Sequence, residues 1–193
     1  LDQAAELGRA GDVGAFADVD EQRVGADVAR LQAGQPQLDR PLDHGAEIDL
    51  HVPALIPDDY LPDVHARLIM YKRIASAADA TQLRDLQVEM IDRFGLLPQP
   101  VKDLFAITEL KLLALPLGIR KIDAGETAGR ILFQPEPAVE PLRIITLIQT
   151  QPKRYKLEGG DKLRFFADMP DAQTRIDTVA ALLRALTGQE PKP

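Results

Sequence analysis

LGIRKIDAGETAGRILF, residues 117–133, is the stretch at which the apolar period of the chain changes from helical to extended. Two short segments bearing apolar residues, 119–122 and 130–133, flank the segment 123–129, a pattern typical of a β-hairpin. Helical spacing precedes this stretch, and strands and helices follow it without a regular βαβ alternation. The sequence therefore predicts an α+β domain, with a small mixed or antiparallel sheet packed with about five helices.

Three helices are predicted before the hairpin, at residues 63–76, 79–94 and 99–115. Asp79 suits the N-cap of the second helix, and Gly95 suits the position after its last residue. The side chains expected to face the core of the first two helices are Val64, Leu68, Tyr71 and Ala75, and Leu83, Leu86, Met90 and Phe94.

Further elements are predicted on either side of these helices. Residues 47–52 alternate strictly between apolar and polar, which indicates a half-buried strand. A short helix is expected at residues 141–149 and two strands at 154–157 and 162–166. The last helix, residues 171–186, completes the five helices and five strands.

The composition divides the chain into three parts. In residues 1–45 the apolar residues are small and scattered, which predicts a loosely attached or disordered leader. Residues 46–188 carry the predicted elements and form one domain, and residues 189–193 form a polar tail. No cysteine occurs, which fits a cytoplasmic protein, and no apolar run is long enough to span a membrane.

Charge is distributed unevenly around a net value of −7, which argues against a general affinity for nucleic acid. Residues 1–117 hold 20 acids and 11 bases, whereas residues 118–166 hold 6 acids and 9 bases. The second segment is mildly basic, and its excess of three positive charges is too small to identify a nucleic-acid site by itself.

Signatures of catalysis are absent from the sequence. It has no glycine-rich phosphate loop, no Gly-x-Ser-x-Gly and no His-Glu-x-x-His, and its single serine is Ser76. We therefore expect a non-enzymatic domain with no catalytic residue and no cofactor site, and a small hydrolase is the least favoured class.

Candidate metal ligands are few. His44, His51 and His65 are read as scattered surface histidines, although a shared metal site would be possible if they converged with an acid. The acidic cluster of Asp58, Asp59 and Asp63 could hold Mg²⁺ or Ca²⁺, but capping of the following helix is the better explanation. No metal site is expected.

Basic and aromatic residues interleave along the two strands within residues 153–166. Such a pattern can mark a platform for single-stranded nucleic acid, and it also fits an amphipathic hairpin with core aromatics and a solvated outer face. A nucleic-acid-binding module is thus the alternative function. The residues of this pattern are Lys153, Arg154, Lys156, Lys162 and Arg164, with Tyr155, Phe165 and Phe166.

The helix at residues 79–94 ends in a charged group on the side away from its apolar stripe. At 100° per residue, Glu89, Asp92 and Arg93 fall within about 100° of one another. Glu89 and Arg93 also form an i, i+4 pair with the acid first, the favourable order. From spacing alone, this group is either a surface ion pair worth a few tenths of a kcal/mol or a charged edge that docks on another protein.

Several blocks of the sequence resemble the carboxy-terminal domain of bacterial transcription-repair coupling factors (the Mfd or TRCF family). The first are PALIPDDYLPDV at residues 53–64, RL at 67–68 and YKRIAS at 71–76. IDRFGLLP at 91–98 and LGIRK at 117–121 continue in the same order.

The resemblance extends over residues 38–186 and carries specific expectations. Proteins of this family are ATP-driven DNA translocases that act on stalled RNA polymerase and recruit the excision-repair protein UvrA. Their last domain is not the motor, so ATP, Mg²⁺ and DNA are expected only at the motor, upstream of this chain. The last domain packs on the amino-terminal UvrA-binding domain and holds it masked.

Three residues of the family's docking surface correspond to Glu89, Asp92 and Arg93 of this chain. The resemblance therefore favours the docking edge over the idle ion pair. Two departures accompany it: residues 1–37 do not match the end of the family's motor, and Pro116 is expected to shorten the third helix by about a turn.

Overall fold

A computed structural model describes residues 45–188 of the chain. Residues 1–44 of the predicted leader, His44 among them, and the predicted tail lie outside the described residues. The elements in chain order are β1 (Glu47–Asp49), α1 (Val64–Ala75), α2 (Ala80–Phe94), α3 (Gln99–Ala114), β2 (Ile119–Ala124), β3 (Ala128–Phe133), α4 (Pro141–Thr150), β4 (Tyr155–Glu158), β5 (Lys162–Phe166) and α5 (Ala172–Thr187).

The predicted α+β class is confirmed, with five helices and a five-stranded mixed sheet in the described residues. The strand order is β1-β2-β3-β5-β4, in which β1 is parallel to β2 and every other pair is antiparallel. The hairpin that decides the fold is formed by β2 and β3, and Ala124 pairs with Gly129 next to its loop. None of the described helices is long and apolar enough to cross a bilayer.

Strand β1 is shorter than the sequence predicts. It ends at Asp49 because His51 takes a left-handed conformation, with φ 53°, and its N–H donates to Oδ1 of Asp49 at 3.0 Å. Leu50 is still buried, as its place in the alternation predicts, and it now belongs to the turn after the strand.

One hydrophobic core lies between the sheet and helices α3, α4 and α5. The residues that α5 buries include Ile176, Val179 and Leu183, which recur at helical spacing. The sheet contributes alternate residues of each central strand, which leaves the opposite face of the sheet to solvent. Buried members from sheet and helices include Ile122, Ile131, Leu163, Phe165, Leu110, Val179 and Leu183.

A second core joins α1, α2 and the first half of α3. Helix α3 serves both cores, since Val101 and Phe105 face the second core while Leu110 and Ala114 face the first. Pro116 and Gly118 end this helical segment as expected, through a 3₁₀ turn at Leu115–Leu117.

The prediction of which face of α1 is buried was wrong. Met70 and Ile74 are buried there, whereas Val64 and Leu68 are 61% and 55% exposed. Apolar residues surround this helix on several sides, so periodicity does not single out one face. Packing against α2 and the preceding loop selects the face that contains Met70.

Arg175 is buried near the start of α5, at 8% exposure. Its Nη1 donates to the carbonyl oxygens of Leu50 at 2.8 Å and His51 at 3.3 Å, and its Nε donates to that of Met169 at 3.3 Å. One guanidinium group therefore ties the end of β1 to the segment that enters α5.

Candidate docking surface

Helix α2 positions the predicted charged group by well-defined ends. The carboxylate of Asp79 accepts hydrogen bonds from the N–H groups of Thr81 at 2.8 Å and Gln82 at 2.9 Å. Gly95 ends the helix with φ 90°, a conformation that favours glycine. Leu83, Leu86 and Met90 are buried as predicted and fix the rotation of the helix, which turns Glu89 and Arg93 outward.

Glu89 is held between two guanidinium groups. Arg73, at the end of α1, binds it in a two-pronged contact, with Nη1–Oε1 at 2.7 Å and Nη2–Oε2 at 2.5 Å. Nη1 of Arg93, one turn further along α2, lies 2.9 Å from Oε1. The hydrogen bond from Arg73, followed by that from Arg93, lowers the pKa of Glu89 from 4.5 to about 2. Glu89 is therefore ionised at neutral pH.

The network continues into a small aromatic group at the end of α2. The guanidinium carbon of Arg93 lies 4.9 Å from the ring centre of Phe94, which meets Tyr60 edge to face at 6.3 Å. The Tyr60 hydroxyl donates to the carbonyl oxygen of Gly95 at 3.0 Å, and burial raises the pKa of this hydroxyl. Arg93 is thus oriented from two sides, by Glu89 and by Phe94.

A shallow groove of about 520 Å³ runs along this side of α2. Its lining residues are Asp85, Val88, Glu89, Asp92 and Arg93, so the three predicted docking residues share one surface. Asp92 is exposed and its side chain forms no hydrogen bond or ion pair with the residues that the structure describes. Val88 is 57% exposed and adds an apolar contact beside the charges.

Arg73 is the member of this surface that the sequence did not predict. It lines a neighbouring groove of about 320 Å³, which shares Asp85 and Glu89 with the first groove. Its position in the last turn of α1 is a favourable one for a base, and that was the only signal available. The sequence alone does not show that Arg73 pairs with Glu89, sixteen residues away, because this pairing depends on how α1 packs on α2.

The other predicted candidates lie apart from this surface. The His51 ring is 3.4 Å from Asp49 and 3.6 Å from Asp123, whereas His65 is exposed on α1. Asp63 accepts a hydrogen bond from the N–H of Ala66 at 2.7 Å and so caps α1. Within residues 45–188, no three metal-ligating side chains converge on one point.

The predicted basic strands form the outer edge of the sheet. Tyr155 and Phe165 are buried in the first core, as the amphipathic interpretation predicts. Lys156 and Arg164 lie on the solvent side, and Phe166 is half-buried between them. Alternation along β4 places Leu157 on the same face as Tyr155, but Leu157 is 46% exposed because β4 is the edge strand.

Comparison with known proteins agrees with this architecture. A family profile described as the TRCF domain matches residues 50–144. The chain is 46% identical over 162 residues to the transcription-repair-coupling factor of Haemophilus influenzae, covering 83% of this chain and 14% of that protein. It is 43% identical over 160 residues to that of Escherichia coli strain K12, with coverages of 82% and 14%.

A solved structure shares the fold. It is the crystal structure of the C-terminal domain of a transcription-repair coupling factor, with a TM-score of 0.60 and 20% sequence identity. The match covers 76% of this chain and 96% of that one.

Fold and sequence together define the class of this molecule as an α+β domain of the carboxy-terminal TRCF type. The chain belongs to the transcription-repair coupling factor family. It spans 14% of the length of the two relatives described above.

Proposed function

We propose that this domain is an autoinhibitory docking module of a transcription-coupled DNA repair translocase. The surface formed by Glu89, Asp92 and Arg93 would bind the amino-terminal UvrA-binding domain and mask it until the motor engages stalled RNA polymerase. ATP hydrolysis and DNA translocation would belong to the motor outside this domain. The observation that carries the proposal is the pre-formed charge network on α2, beside the carboxylate of Asp92, which has no partner within residues 45–188.

The contacts of the three residues support a different role for each within this proposal. Both carboxylate oxygens of Glu89 already accept hydrogen bonds from arginines, so Glu89 organises the surface more than it offers a free charge. Asp92 has no partner within the described residues and can accept a cation from the docked domain. Arg93, with a side chain 53% exposed, keeps N–H groups available for an acid. The surface therefore suits a partner that carries both signs of charge.

A modest affinity is sufficient for such a switch. Because the two domains belong to one chain, each experiences the other at an effective concentration in the millimolar range. An intrinsic dissociation constant of about 0.1 mM would then keep the surface occupied roughly ten to one. A motor that changes the distance between the two domains could release this contact without any chemical step in the docking domain.

Asp92→Lys is the sharpest test, because this exposed side chain can be reversed without breaking the Arg73–Glu89 contact. Binding of the domain to a separately produced amino-terminal UvrA-binding domain, measured by calorimetry, should weaken at least tenfold. Glu109→Lys on α3 makes the same charge change at an exposed site outside the groove and should leave binding within about twofold of the wild type.

The same pair of substitutions separates masking from simple binding in a full-length protein. Asp92→Lys should raise UvrA binding by the full-length protein, whereas Glu109→Lys should not. Unchanged UvrA binding in the Asp92→Lys protein, or an equal increase in both variants, would show that this surface does not mask the UvrA site.

A further inference from the structure

One cross-strand row on the solvent face of the sheet consists entirely of charged residues. Asp49 pairs with Asp123, Asp123 with Arg130, Arg130 with Arg164, and Arg164 with Lys156. Two acids on β1 and β2 are thus followed by three bases on β3, β5 and β4. The face changes sign in the middle of the sheet.

Three adjacent bases in such a row are unfavourable unless something compensates them, since like charges directly opposite destabilise a sheet. Part of the compensation is internal. Arg130 contacts Asp123 at 3.1 Å and Arg164 contacts Glu158 at 3.1 Å. Each contact uses one guanidinium nitrogen, and the side chains are 67% and 46% exposed, so further N–H groups face solvent.

Lys156 is the uncompensated member of the row. It is exposed and forms no ion pair within residues 45–188. Its Nζ lies 5.6 Å from the ring centre of Phe166, and the guanidinium carbon of Arg164 lies 5.0 Å from the same ring. An aromatic ring therefore holds two bases in place at the centre of the basic half.

Further bases extend this patch. Lys162 is exposed on β5, two residue pairs further along and directly opposite Glu158, and Lys153 and Arg154 precede β4. Charge is segregated across the domain: residues 118–166 hold 9 bases and 6 acids, whereas residues 45–117 hold 7 bases and 11 acids. The net charge of −7 thus conceals a local basic surface.

We propose that the basic strand face, defined as Arg130, Lys156, Lys162 and Arg164 around Phe166, binds a single strand of nucleic acid through its phosphates. Neighbouring strands lie about 4.8 Å apart, so the three bases of the row span roughly 10 Å, a distance that can engage adjacent phosphates. Bases interleaved with an aromatic ring are the recurring combination in single-strand sites. This site is separate from the docking surface on α2.

The shape of the face favours a single strand over the other anionic partners. The face is formed by strands of a five-stranded sheet, whereas proteins that read a duplex place a helix or a two-stranded ribbon in its major groove. The groove beside Arg130 and Arg164 is open and measures about 230 Å³, with Asp123 and Glu158 in its lining. These two acids disfavour the binding of a small free anion in the groove. The outward-facing N–H groups of Arg130 and Arg164 remain available for the phosphates of a nucleic-acid strand that passes over the surface.

Fluorescence anisotropy of a labelled oligothymidine of about 20 nucleotides, longer than a typical single-strand site, tests the proposal with the 193-residue chain. Saturable binding is expected near 50 mM salt. Its affinity should fall with salt at a log–log slope of about −2, as expected for three contacts at about 0.7 each.

Lys156→Glu combined with Lys162→Glu should weaken this binding at least tenfold. Lys72→Glu combined with Lys102→Glu makes an equal charge change at exposed positions on α1 and α3, and it should change the affinity less than threefold. Lys156→Gln, a milder change at one exposed side chain, should weaken binding about threefold. This single variant tests the proposal if the double variant does not fold.

Three outcomes would overturn the proposal. The first is the absence of saturable binding at low salt. The second is an equal loss of affinity in the strand and helix variants, which would indicate a non-specific charge effect. The third is tighter binding of a duplex of the same length, which would exclude a site selective for a single strand.

Discussion

The Arg73–Glu89 contact should couple the two helices of the docking surface measurably. Arg73→Met removes the two-pronged donor while keeping an aliphatic side chain, and Glu89→Gln removes the charge while keeping the shape. The two substitutions and their combination form a double-mutant cycle, which isolates the interaction between the side chains from their separate contributions.

The size of the coupling follows from the pKa of Glu89. A shift from 4.5 to about 2 corresponds to an upper limit of roughly 3 kcal/mol in favour of the charged form, at about 1.4 kcal/mol per pH unit. Arg93 supplies part of this, and the side chains of Arg73 and Glu89 are 41% and 32% exposed. After allowance for solvent screening we expect a coupling of about 1 to 1.5 kcal/mol.

Urea unfolding at neutral pH measures this coupling as the free energy of unfolding of the four proteins. The coupling should decrease in high salt, because both side chains are partly exposed. Arg84→Met on the exposed side of α2 is the matched control and should change the free energy of unfolding by less than about 0.5 kcal/mol. A coupling below about 0.3 kcal/mol would refute the view that this contact orients the docking surface.

Two further predictions concern acid and the buried arginine. The lowered pKa of Glu89 means that its stabilising effect is complete above about pH 4.5 and is lost as the pH falls towards 2. The difference in unfolding free energy between wild type and Glu89→Gln should therefore shrink over that range, and a constant difference would contradict the assigned pKa. Arg175→Met should destabilise the domain by about 2–3 kcal/mol, because it leaves the buried carbonyl groups of Leu50 and Met169 without their donor. Urea unfolding measures this, and a loss below about 1 kcal/mol would show that these carbonyls find other donors.

Local patterns were sufficient for the order and type of the elements. The five helices and five strands occur in the predicted order, because caps, glycines and apolar periods act within a few residues of the chain. Two of the discrepancies, the shorter β1 and the rotated burial in α1, arise where those signals are weak. Strand β1 depends on a long-range partner in β2, and α1 has apolar residues on more than one side.

The candidate docking surface was predictable only in part. Spacing on one helix placed Glu89, Asp92 and Arg93 on a common side, and all three line one groove. The same spacing said nothing about Arg73, although Arg73 makes the closest contact to Glu89. Their assignment as docking residues stays a prediction for the binding experiments to test.

The sequence by itself determined the α+β class, the elements and the family, because these depend on local periodicity, turn residues and ordered motifs. Tertiary structure decided the partners of the charged side chains. Arg73 meets Glu89 across two helices, Arg175 donates to the carbonyl oxygen of Leu50, and the bases of three strands lie in one row. The physical reason is that helix caps and periods act over a few residues. The partners of a charged side chain depend instead on how separate elements pack and align.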